Sequence, residues 1–137
     1  MKMSKVIREY ITESVVTKYQ PTIDAIKAKK DAAQKKINDV KKQTSEELTE
    51  IIMRTYRERL APFYTEYDLN MLLCDRNYVY EPSYYGVNPI DINKYNAEIN
   101  RLQSQRDAAI KNILITLELG GTKADLDRML SEVNVEG

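Results

Sequence analysis

Three carboxylates fall within five residues at Glu46, Glu47 and Glu50. On a helix they lie close enough to hold a divalent cation through oxygen ligands, but the same pattern describes an ordinary solvated acidic face, the better reading of the two. The single cysteine, Cys74, follows Met71-Leu72-Leu73 in an apolar run. A thiol there reads as a small buried hydrophobe, since a nucleophile needs a neighbouring base or cation to make the thiolate. The chain has no histidine, which removes Ser-His and Cys-His pairs, an imidazole acid or base at neutral pH, and histidine-containing zinc or di-iron sites. Gly120-Gly121, the only adjacent glycines, end a helical pattern rather than open one, so they read as a helix stop and not as a phosphate loop. The residues point away from catalysis, and no catalytic, cofactor-binding or metal-binding residue is assigned.

Two clusters could instead bind a macromolecule. Lys27, Lys29, Lys30, Lys35, Lys36, Lys41 and Lys42 form a basic run without arginine, and clustered lysines can release counterions from a nucleic-acid backbone. With Ile23 at the first seam position, Lys30 falls in the seam and the other six occupy both flanks and the outer face of a helix instead of one side. That spread favours a charged interface at Lys27, Lys29, Lys35, Lys36, Lys41 and Lys42 over nucleic-acid binding, which is kept as an alternative function. Their counterparts could be Glu46, Glu47, Glu50 and Glu58 of a second copy lying antiparallel about Gln43, or an acidic surface on another protein, and a homodimer is the oligomer favoured. The second cluster is aromatic: six of the ten tyrosines lie between Tyr64 and Tyr85. Among them Tyr78, Tyr80, Tyr84 and Tyr85 sit with Asn, Ser, Glu, Gly and Pro, the mixture of binding loops, and are the candidate partner-binding residues.

Long helices must carry both clusters. The 137 residues include only four Gly and four Pro, 31 % are charged, and Lys+Arg and Asp+Glu balance at 21 each, a composition suited to an all-α chain. No stretch approaches the roughly 20 apolar residues of a membrane span, and the expectation is a cytoplasmic protein. Val6, Ile7, Tyr10, Ile11 and Val15 are spaced for a helix over 4–19 with Ser4 as its cap, and Pro21 predicts a break or kink. A second, long helix over 22–60 carries Ile23, Ile26, Lys30, Ala33, Ile37, Val40 and Thr44 in steps of three and four, then drifts to Leu48, Ile51 or Ile52, and Thr55. A third, over 91–119 and capped by Asp91, repeats such steps from Ile92 to Thr116; Thr122 to Asp125 reads as a capping box opening a short helix over 123–133. At an offset of 76, Tyr19, Lys30-Asp31-Ala32-Ala33 and Ile37 match Tyr95, Arg106-Asp107-Ala108-Ala109 and Ile113. The two alanine pairs could let the helix backbones approach closely.

The predicted architecture is a single all-α domain: a long antiparallel helical hairpin, a coiled-coil stalk about 43 Å long, with a Tyr-rich connection over 61–90 at one end. Part of that connection, Pro62 to Leu73, is expected to be helical with Phe63, Tyr67 and Leu72 inward, and the remainder a loop or short hairpin tip. At the other end Ile110 to Leu119 is apolar almost all round, so the helices 4–19 and 123–133 should cover it as a small bundle. The function expected is a non-enzymatic protein-binding module, an inhibitor or adaptor acting on a larger protein. A viral or mobile-element source, with a host defence or nucleic-acid enzyme as target, would suit it. The alternative is an oligomeric coiled-coil structural or assembly protein.

Overall fold

The computed structural model describes residues 2–74 and 87–135. Tyr78, Tyr80, Tyr84 and Tyr85, with the tip they were expected to form, lie outside the described residues. Among the described residues the secondary structure is all helical, in the order α1 (Lys5–Leu60), α2 (Glu66–Cys74), α3 (Ile90–Glu118) and α4 (Lys123–Glu132). It divides into two compact units, Met1–Ala33 with Pro89–Gly137, and Gln34–Asn88.

The predicted break at Pro21 is absent, because α1 continues through it as one helix of 56 residues. An interior proline removes one helical hydrogen bond and clashes with the carbonyl four residues back, at a cost of about 3 kcal/mol. Apolar burial on both sides outweighs that cost. Ile11, Val15 and Tyr19 before the proline and Ile23 and Ile26 after it are all buried in one core, and each such side chain contributes about 1.5–3 kcal/mol. Pro21 and Thr17 both lie on the exposed side, where water can serve the Thr17 carbonyl.

In the first unit α1 packs antiparallel to α3. Arg8, near the start of α1, is ion-paired with Glu118 at the end of α3, and Tyr19 lines a small groove with Ala109 and Ile113. Continuing from Tyr19 and Ala109, Ile26 falls near Leu102, and both are buried in the same core. At one end of the internal repeat a tyrosine, Tyr19, thus lies beside an alanine, Ala109. The apolar end of α3 is covered as its composition demands: Ile113 and Leu117 are buried with Ile11 and Val15, and α4 adds Leu126, Met129 and Leu130. Lys18 ties α4 down by donating to the Leu130 carbonyl. The covering segment before Pro21 is therefore the first part of the same helix, and α3 pairs with α1 from Arg8 onward instead of from residue 22.

The helix ends follow local chemistry. Ser4 caps α1 by accepting from the Ile7 amide at 3.2 Å. Asp91 does not cap α3. The cap position belongs to Pro89, which has no side-chain bond to offer, and Asp91 sits in the first turn, where the helix dipole favours a carboxylate. At the other end the Gly121 amide donates to the Thr116 carbonyl and the Gly120 amide to the Leu117 carbonyl, both at 3.2 Å, the two bonds of a Schellman motif. Gly120 adopts φ +114°, and a Cβ on Gly121 would sit 3.0 Å from Leu117 Cδ2. The expected capping box is present: the Asp125 amide donates to Thr122 Oγ1 and the Thr122 amide to the Asp125 carboxylate. The Thr122 backbone bond, then its hydroxyl, lower the Asp125 pKa from the usual carboxylate value against a small desolvation effect, and Arg128 adds to the lowering.

The second unit holds the remainder of α1 and α2. After Leu60 a turn is closed by the Phe63 amide donating to the Leu60 carbonyl at 2.9 Å. Thr65 then caps α2 through the Asp68 amide, at 3.2 Å. Arg57 of α1 donates to the Asn70 side-chain oxygen at 2.7 Å, while Leu69 and Leu73 are buried.

Candidate functional site

The Thr65 cap sets which side of α2 turns inward. Once the helix starts at Glu66, Leu69 and Leu73 share one side and are buried; Tyr67 and Met71, also four apart, fall on the opposite side. The inward set predicted from sequence, Phe63, Tyr67 and Leu72, is corrected by this register. Phe63 is 78 % exposed and Tyr67 73 %, with Tyr64, Met71 and Leu72 about half exposed. The Thr65-x-x-Asp68 spacing is a cap signature that could have revealed this, since it places Phe63 ahead of the helix.

The outcome is an aromatic turn and a nine-residue helix with apolar side chains both inward and outward. Between Ala61 and Cys74 the only charges are Glu66 and Asp68, both exposed in the first turn of α2. Large apolar side chains bordered by carboxylates can supply contact area and orientation.

Nearby on α1, Ile51, Ile52, Thr55, Tyr56, Arg59 and Leu60 line a shallow groove of about 410 Å³. Ile51 is 47 % exposed, as against the half-buried Ile52. The seam that was ambiguous in sequence thus presents Ile51 outward.

Lys27, Lys29, Lys35, Lys36 and Lys42 are exposed, and Lys41 is partly buried. Lys27 and Lys29 belong to the first compact unit and the other four to the second. Glu46, Glu47 and Glu50 are exposed, Gln43 donating to Glu47 at 3.3 Å. Among the described residues no group of three or more Asp, Glu or Cys is placed to hold a metal ion. No helix among them is long and apolar enough to cross a membrane.

No protein family matches this chain, and no curated protein and no solved structure is similar to it.

Proposed function

We propose that the chain is a non-enzymatic protein-binding module, an adaptor or inhibitor that presents the aromatic turn and the outward side of α2 to a larger protein. The observation that carries this reading is the exposure of Phe63, Tyr64, Tyr67, Met71 and Leu72 together. A nine-residue helix that is apolar on both sides needs cover on both, and Leu69 and Leu73 are already buried. Aromatic and methionine side chains are enriched at the centres of protein interfaces, where a few of them supply most of the affinity. Glu66 and Asp68 add a preference for a partner with basic residues around an apolar patch.

The reading is tested with immobilised full-length chain and its Tyr67→Ser and Met71→Ser variants, compared for proteins captured from cells of its source. The expected result is a protein retained by the parent and lost from both variants, with melting temperatures within about 2 °C of the parent. Equal capture by all three, or unfolding of both variants, refutes it.

A further inference from the structure

We infer that α1 carries a second, separate interaction surface, over Val40 to Arg59, and that its occupant is a second copy of this chain lying antiparallel. Val40 is 56 % exposed, Leu48 37 % and Ile51 47 %, and Thr44 and Arg59 are exposed as well. With Thr55 these residues form one stripe along the helix, beside the line of Ser45 and Ile52 that faces inward. Among the described residues nothing covers Val40 or Ile51.

The spacing of the stripe identifies the occupant. Val40, Thr44, Leu48, Ile51, Thr55 and Arg59 follow steps of four, four, three, four and four, a sequence of steps that reads the same in either direction. A two-fold axis between Leu48 and Ile51 therefore lays each stripe residue on another: Leu48 on the second copy's Ile51, Thr44 on its Thr55, Val40 on its Arg59. Such an isologous contact closes on itself as a dimer. The groove of about 410 Å³ shares Ile51, Thr55 and Arg59 with this stripe. In the same register it receives the second copy's Leu48 and Val40, so an apolar recess meets exposed apolar side chains.

Charge agrees with the antiparallel direction. Glu47 and Arg54 lie on the same flank of the stripe, both exposed. In an antiparallel pair, like flanks meet. Glu47 then comes within about 3 Å, along the axis, of the second copy's Arg54, and the symmetry makes this ion pair twice. This centre lies some seven residues from Gln43, the one expected from lysine and glutamate totals, because the exposed apolar side chains, more than the charge sums, set the register.

The test is sedimentation equilibrium of the full-length chain from about 5 to 300 μM. The expected result is a reversible monomer–dimer equilibrium. Ile51→Glu, and independently Val40→Glu, should weaken it at least about thirtyfold with unchanged helical circular dichroism; two variants guard against one that fails to fold. Glu47→Arg or Arg54→Glu alone should weaken it about tenfold, since each sets like charges together twice. Both reversals in one chain should restore it to within about threefold of the parent. A monomer throughout the range, a dimer indifferent to Ile51→Glu and Val40→Glu, or a double reversal no better than the singles overturns the inference. The aromatic surface on α2 takes no part, so Tyr67→Ser should leave the dimer intact, and the two proposals fail separately.

Discussion

Replacing Pro21 with alanine should stabilise the protein, and the amount follows from where the residue sits. Pro21 is exposed on a continuous helix, so alanine removes no buried contact. It restores an amide donor for the Thr17 carbonyl, worth about 1 kcal/mol net because water already serves that oxygen. It also relieves the ring clash, the larger part of the roughly 3 kcal/mol that an interior proline costs. Against this, the unfolded chain regains flexibility that proline had denied it, about 0.4–1 kcal/mol. The balance is a gain of about 2–2.5 kcal/mol, or an increase of some 6–10 °C in melting temperature for a domain of this size. Urea unfolding followed at 222 nm measures it directly. At a junction between two helices the same substitution would lose the proline's preorganisation and gain no hydrogen bond. An unchanged or lowered stability would therefore refute the account of α1 as one helix held through Pro21 by its buried stripe.

The remaining predictions concern the core, a turn and acid. Leu102→Ala should cost about 3–4 kcal/mol by urea unfolding, because Leu102 is fully buried in the same core as Ile26, whereas Tyr67→Ala should stay within about 0.5 kcal/mol. Gly120→Ala should cost about 1–2 kcal/mol, since φ of +114° disfavours any side chain, although open space surrounds a Cβ there; calorimetry of the variant checks it. Asp125 has a depressed pKa in the folded state, so its contribution is complete above the unfolded carboxylate value of 3.8 and is lost as pH falls through the lowered one. An acid titration followed at the α4 amides should show α4 loosening only below that value. Asp125→Asn should remove this acid-dependent step.

How much was legible from sequence follows the range of each signal. The Ser4 cap, the stop at Gly120 and Gly121 and the Thr122–Asp125 box are written within four or five residues of the groups they serve, and each is found where those residues place it. The apolar end of α3 demands cover, and Ile11, Val15 and Leu126 supply it. Asp91 misled because a carboxylate near a helix start serves either as a cap or as a first-turn charge, and the choice depends on where the backbone enters the helix. Phe63 and Tyr67 misled because hydrophobicity was counted without the Thr65 cap that sets the register of α2.

The amino-acid sequence by itself determined that this chain is helical, where most of its helices stop, and that it has no histidine. Only the tertiary structure decided that Pro21 lies inside a helix, that α3 pairs with α1 from Arg8 onward, and that Ile51 and Tyr67 face outward. The physical reason is the range of the interactions. Caps and hydrogen-bonded turns act between neighbours in the chain. Whether an apolar side chain is core or surface depends on partners about ninety residues away, as Tyr19 and Ala109 are, and on burial summed over many side chains, which outweighed the local cost of one proline.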